Sequence, residues 1–285
     1  MIAIHYQVNG RKTGRRVASS FLHLSRCFRG VPAPEMGRRS PRYIERRTKE
    51  GAKPATIRQE LANLNTALGL AVQAGLLDHR PPIAHIAVRN VRTFAITEER
   101  CDALLAYLPS DIRDVAEFAY LTGWRRGEIL SLLWSNVDRV NKIIRLEPGT
   151  TKNGCGRVFP YGAFPLLDTL LRRRERKTVE AEAKLGLIIP LVFHRGGEPI
   201  RSFYKSWRCA CERAGIRGYV LHDLRRSTAQ NLLRSGTPIQ TAMALLGHRT
   251  RSMFDRYAIV DEEDLRMGIE RYAQRMALSK ARLGP

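Results

Sequence analysis

From residue 41 onward the chain is written in helical periods. Ile57, Leu61, Leu64, Leu68 and Val72 recur at steps of four and three, an amphipathic stripe with Gly75 near its end. Just before it, PRYIERRTKEGAKPAT reads as one helix, a break at Gly51 and Pro54, and a new start at Ala55 or Thr56. A stripe of this kind must bury against other helices, so residues 41–80 are expected to form a small all-α domain, with the membership of part of 1–40 left open. Residues 1–40 carry no comparable pattern: VNGRKTGRR suits a basic hairpin about Asn9-Gly10 or a loose cationic arm. Pro81-Pro82 punctuates the chain, and residues 81–95 read as a basic linker.

A second region opens at Thr97-Glu98-Glu99, a helix start with a Thr cap and acids in the first turn. Helices are expected at about 97–108, 111–122 and 126–134, the last with Ile129, Leu130 and Leu133 facing a core. KIIRLEP and GRVFPY then flank the turn-rich TTKNGCG, which suggests a small antiparallel sheet and is the one clear strand set. Helical periods resume at about 163–185, 200–214, 222–235, 238–246, 251–258 and 262–280. The expected fold class is therefore mostly α with a small antiparallel β-sheet (α+β). A helical N-terminal domain precedes a larger one over 96–260, and a terminal helix in 261–285 carries Leu265, Ile269, Tyr272 and Met276 on one stripe.

Charge narrows the partners. The 285 residues hold 49 Lys and Arg against 27 Asp and Glu, a formal net charge of +22. Residues 1–90 carry 16 basic and 5 acidic side chains, so half of the net charge sits on less than a third of the chain. Such an excess is the footprint of a polyanion partner, with double-stranded DNA the first candidate and most contacts expected at phosphates. Arg46, Arg47, Lys53, Thr56 and Arg58, around the start of the second N-terminal helix, are the expected contacts there; a solvated basic face explains each of them singly just as well.

Five scattered cysteines (Cys27, Cys101, Cys155, Cys209, Cys211) fit reduced thiols better than a disulfide framework or a metal site, and no cofactor is expected. No run approaches the ~18 apolar residues of a membrane span, and MIAIHYQVNGRKTGRR lacks the apolar core of a signal peptide. The expected location is the cytoplasm, at the nucleoid.

Three contexts hold candidate chemistry. In YLTGWRRGEILSLLW, Arg125 lies in a joint between helices, where a side chain can leave the core, and Glu128 is placed to hold its guanidinium. In HDLRRSTAQNLL, His222 and Arg225 project from one helical face, a guanidinium fork beside an imidazole that suits phosphate grip and proton management. In ALLGHRTRSMFDRYAIV, Gly247 ends a helix, His248 follows, and Tyr257 comes nine residues later. Each has a plainer alternative: a surface arginine, an exposed pair with no task, a core tyrosine. Residues 222–258 also suit a plain helix-turn-helix DNA reader.

In order and spacing these contexts resemble the tyrosine recombinase/phage integrase family. The resemblance rests on TG-x-R-x-x-E at 122–128, T-K-N-G at 151–154, H-x-x-R at 222–225, and L-G-H at 246–248 followed by Tyr257. It covers about 97–260 and extends more weakly over 41–88; Trp124 stands where the family often has Leu or Met. The resemblance implies that Tyr257 attacks a DNA phosphodiester and forms a 3′-phosphotyrosine. It further implies that Arg125 and Arg225 clamp the non-bridging oxygens, that Lys152 protonates the departing 5′-oxygen, and that His222 acts as base. His248 would hydrogen-bond the phosphate and Glu128 would orient Arg125, with neither metal nor ATP required. It implies a homo-tetramer on paired DNA sites, built from solution monomers, with accessory directionality proteins as further partners and a C-terminal helix docked on a neighbouring protomer. Two other classes share these residues: a catalytically idle DNA-binding regulator on the same scaffold, and a DNA-relaxing enzyme of the type IB topoisomerase kind.

Overall fold

A computed structural model of the chain describes residues 14–88, 95–149, 156–255 and 262–283. It separates into two units, residues 1–91 and 92–285, each with its own interior.

Helices α1 (Gly14–Phe28), α2 (Ala33–Lys49) and α3 (Pro54–Gln73) make the first unit. The stripe on α3 does what its period requires: Ile57, Leu61, Leu64 and Leu68 are buried, and Val72 is half-buried near the helix end. They pack on Leu24 and Phe28 of α1 and on Tyr43 of α2. Helix α1 corrects the reading of residues 1–40 as a stretch without pattern. Its apolar residues Val17, Phe21, Leu24 and Phe28 do follow helical spacing, a clear stripe that begins directly behind the basic run at 11–16. The expected break is present: Gly51 turns at φ 78° and Pro54 opens α3 at its first position, one residue earlier than expected. The hairpin considered about Asn9-Gly10 lies outside the described residues.

One polar network crosses this interior. Arg47 lays its fork on Glu60, Nε to Oε2 at 3.0 Å and Nη2 to Oε1 at 2.9 Å, while the Tyr43 hydroxyl donates to Glu60 Oε2 at 2.8 Å. A bidentate pair so deeply buried is a structural strut.

The second unit is helical around one small sheet. Helices α4 (Glu98–Ala106), α5 (Ser110–Thr122) and α6 (Arg126–Leu130) lead into strands β1 (Val137–Asp138), β2 (Ile143–Leu146) and β3 (Arg157–Pro160). The three strands pair antiparallel in sequence order, with Val137 opposite Ile144, Ile144 opposite Phe159 and Leu146 opposite Arg157. Helix α7 (Pro165–Leu185), the hairpin β4 (His194–Arg195) and β5 (Glu198–Pro199), and helices α8 (Tyr204–Arg213), α9 (Leu221–Arg234), α10 (Ile239–Leu246), α11 (Arg251–Phe254) and α12 (Glu262–Leu283) follow. The architecture is thus mostly α with small antiparallel sheets. Thr97 caps α4, its hydroxyl accepting from the Arg100 amide.

Two expectations need correction. The helix expected over 126–134 stops at Leu130, because the next backbone groups pair with residues 190–192 instead. The Trp134 amide donates to the Pro190 carbonyl at 2.8 Å, and the Val192 amide to the Leu132 carbonyl at 2.9 Å. Leu132 therefore enters the core and Leu133, expected there, is 37% exposed. The second hairpin was not anticipated; it turns through Gly196 and Gly197, both at positive φ, a glycine pair that suits a tight hairpin turn.

The core gathers Phe118, Trp124, Phe159 and Phe193 edge to face around Ile112, Ile129 and Leu132. Each fully buried side chain of this size contributes roughly 1.5–3 kcal/mol. Arg174, 1% exposed, ties α7 to α5 through Asp114 and to the Val192 and His194 carbonyls. This rigid body sets the ends of α5, α6, α9 and α10.

Candidate active site

Helix α5 ends at Gly123, which turns left-handed at φ 64°. A Cβ here would overlap Leu246 of α10 and stand 3.1 Å from Thr228 Cβ of α9, so the missing side chain lets three elements meet. Helix α9 docks on this corner: Thr228 Oγ1 donates to the Tyr120 carbonyl at 2.7 Å, and Arg225 Nη1 to the Gly123 carbonyl at 2.6 Å. Arg225 is 1% exposed, so its guanidinium has little freedom.

Two residues after Gly123, Arg125 stands immediately before α6. Glu128 accepts twice from it, at 3.1 Å from its backbone amide and at 2.8 Å from Nη1. The other arm, Nη2, reaches the Gly247 carbonyl at 3.2 Å. Gly247 ends α10 at φ 68° and hands the chain to His248, whose ring is buried edge-on to Phe254 at 5.7 Å. Arg125, Arg225 and His248 are thus assembled around two glycine corners.

The electrostatics follow from this crowding. Burial, then Arg225 and Arg125, push the His248 pKa down to about 3, so the ring is neutral at pH 7. His222 opens the first turn of α9 and keeps much of its surface accessible. The protein around it, and Arg225 beside it, still lower its pKa. Burial alone would raise the Glu128 pKa, but Arg157 and Arg125 outweigh it and hold the carboxylate below its ordinary range.

Arg157 was not singled out in the sequence, yet it belongs to this group. Its Nη2 donates to Glu128 Oε2 at 3.0 Å, and its guanidinium lies over the Trp124 ring at 5.0 Å. The signal was strand alternation: on β3, Arg157 shares the inward face with Phe159, while Val158 and Pro160 point out.

Lys152 and Tyr257, the two remaining candidates, lie outside the described residues. Of the expected DNA contacts, Arg46, Lys53, Thr56 and Arg58 are exposed, Arg46 also bonding Glu50 at 2.9 Å. Arg47 is turned inward on Glu60, because the buried carboxylate needs a cation, and it has no guanidinium to offer a ligand. Among the described residues no group of three or more His, Cys, Asp or Glu is gathered for a metal, and no helix is long and apolar enough to cross a membrane. The thiols of Cys101 and Cys211 are pushed up by burial, to about 12 and about 11, and are unreactive at neutral pH.

Comparison with known proteins places the chain's family and fold. The model of the phage integrase family matches residues 95–264, more than half of the chain. The integrase of Salmonella phage P22 is 25% identical over 220 residues, covering 72% of this chain and 55% of that protein. Tyrosine recombinase XerC of Roseiflexus is 26% identical over 220 residues, covering 73% and 69%. The chain thus spans little more than half of the phage relative. A lambda integrase dimer bound to a COC′ core site shares the fold at a TM-score of 0.68 and 18% identity, covering 92% of this chain and 78% of that one. The Tn1549 transposon integrase in complex with circular intermediate DNA does so at 0.62 and 16%, covering 81% and 83%. With Arg125, Arg225 and His248 brought to one corner and the family's pattern running over residues 95–264, the chain belongs to the phage integrase family, the tyrosine recombinases.

Proposed function

We propose that this chain is a site-specific DNA recombinase that cuts and rejoins DNA through a 3′-phosphotyrosine. The observation that carries the proposal is the pairing of two restrained guanidiniums, Arg225 on the Gly123 carbonyl and Arg125 on the Gly247 carbonyl, beside a neutral buried His248. Such preorganised donors suit a phosphorus centre whose non-bridging oxygens gain charge in the transition state.

The chemistry assigned to the site is as follows. The Tyr257 oxygen attacks phosphorus, His222 takes the hydroxyl proton, and the bond to the 5′-oxygen breaks as Lys152 gives that oxygen a proton. Arg125 and Arg225 bind the non-bridging oxygens, His248 donates a further hydrogen bond, and Glu128 holds Arg125. The lowered pKa of His222 keeps it neutral at pH 7, as a base must be. The covalent intermediate conserves the bond energy, so rejoining needs no ATP and no metal.

Double-stranded DNA is the substrate, supported by the net charge of +22 and the exposed Arg46, Lys53, Thr56 and Arg58. The lambda integrase structures include a tetramer on a Holliday junction, and we extend that assembly to this chain. Helix α12 offers Leu265, Ile269, Tyr272 and Met276, all exposed, as the stripe that docks on a neighbouring protomer. The test is a supercoiled plasmid carrying two target sites, selected from fragments of source DNA that the protein retains. Exchange between the sites, lost in Tyr257→Phe, supports a recombinase. Relaxation without exchange indicates a topoisomerase, and binding without either indicates an idle regulator.

A further inference from the structure

The buried cation on β3 has no part in the chemistry above. Arg157 is 7% exposed and touches three neighbours of the site at once. It bonds Glu128, which holds Arg125; it sits over the ring of Trp124, the residue before Arg125, at 5.0 Å; and it packs on Gly247, whose carbonyl accepts from Arg125 and which precedes His248. The last contact is close: a Cβ on Gly247 would run into the Arg157 guanidinium.

Its pairing with the buried Glu128 carboxylate accounts for one nitrogen of this guanidinium only. Arg157 Nε and Nη1 find no hydrogen-bond partner among the described residues, and a buried guanidinium so under-satisfied is costly beside an apolar side chain of equal volume. A planar fork can nonetheless bond a carboxylate at its tip while it packs between an indole and a glycine. Lys would keep the charge without the plane.

We infer that Arg157 is a positioning residue for the cleavage site, fixing Arg125 through Glu128 and His248 through Gly247. It acts on the phosphate only through those groups. The inference rests on the catalytic reading given above, and its test has one arm that needs no catalysis.

Among the described residues, His222 and Arg225 from α9, Arg125 before α6 and Arg157 from β3 act on the His248 ring with charge or titratable character. In the uncomplexed protein, the His248 ring can be titrated by NMR in wild type, Arg157→Gln and Arg157→Lys. On nicked DNA, single-turnover cleavage and DNA affinity are measured for the same proteins, together with Glu128→Gln and the double variant. A misplaced clamp typically slows chemistry about 100-fold, so Arg157→Gln should cleave about 100-fold more slowly while binding DNA within about threefold of wild type. Arg157→Lys should fall between, the double variant should be no slower than the slower single, and His248 should titrate higher in Arg157→Gln.

Cleavage within about threefold of wild type, or loss that merely tracks the folded fraction with His248 unmoved, overturns the inference. If Arg157→Gln does not fold, Arg157→Lys decides on the same readouts. If wild type itself does not cleave, the catalytic reading fails, while an unmoved His248 titration still separately rejects Arg157 as its positioning residue.

Discussion

Arg225 of α9 donates Nη1 to the carbonyl of Gly123 at the end of α5, a 2.6 Å bond between residues 102 apart in sequence. It joins the H-x-x-R segment to the joint that carries Arg125, so the side chain proposed to hold the phosphate also closes the fold. Arg225→Lys keeps the charge but loses the fork. It should lower stability by about 1–2 kcal/mol, read from denaturant midpoints. It should also slow DNA cleavage by about 10²–10³, the usual penalty for one lost transition-state donor.

Glu128 is paired with two arginines in a buried place, so its carboxylate titrates below the ordinary range. A depressed carboxylate stabilises the fold above its unfolded pKa, and that contribution disappears as pH falls through the folded value. Wild type should therefore lose stability in acid below about pH 4.3, the unfolded reference for Glu. Glu128→Gln should flatten that acid limb and destabilise at pH 7 by about 3–5 kcal/mol, because the buried Arg157 and the half-buried Arg125 lose their carboxylate. Melts at pH 7 and in acid measure both.

His248 is pushed down to about 3 by burial and the surrounding cations. The unfolded chain binds its proton near pH 6.5, so stability declines as pH falls from there toward the folded value. Between pH 7 and pH 5 this single group should remove about 2 kcal/mol. His248→Gln should show a shallower decline over that interval in urea titrations.

In the N-terminal unit, Arg47 and Arg58 differ in kind although both are arginines of one basic segment. Arg47→Ala strands Glu60 in the interior and should destabilise by about 3–5 kcal/mol. Arg58→Ala, at an exposed position, should leave the melting temperature within about 1 °C. Under the proposed DNA reading it should lower affinity and flatten the salt dependence of binding, which a filter-binding series in salt would record.

The sequence discloses much of the site because each part sits in a local frame with its own signal. Gly123 and Gly247 mark helix ends, and the i, i+3 spacing places His222 and Arg225 on one face of α9. Their meeting is a tertiary fact, made by Thr228 and Arg225 bonding back to α5. Arg157 stayed hidden because a charged residue opening a short strand reads as an edge residue. Only its alternation with Phe159 places it inside. Arg47 misled for the opposite reason: its partner Glu60 lies 13 residues away on another helix, so a buried bidentate pair looked like part of a basic face. The stripe of α1 at Val17, Leu24 and Phe28 is legible in the sequence but stands directly behind the basic run at 11–16, which reads as a loose arm.

The central claim is that this corner of arginines and histidines serves a tyrosine that becomes joined to DNA. The most direct measurement incubates the protein with nicked source-DNA fragments, denatures in SDS, and maps any attached DNA end, with Tyr257→Phe alongside. The account predicts a covalent complex through a DNA 3′ end with wild type and none with Tyr257→Phe, although both bind the DNA equally. A complex that persists in Tyr257→Phe, attachment through a 5′ end, or tight binding by wild type to DNA of the mapped site with no covalent complex would contradict it.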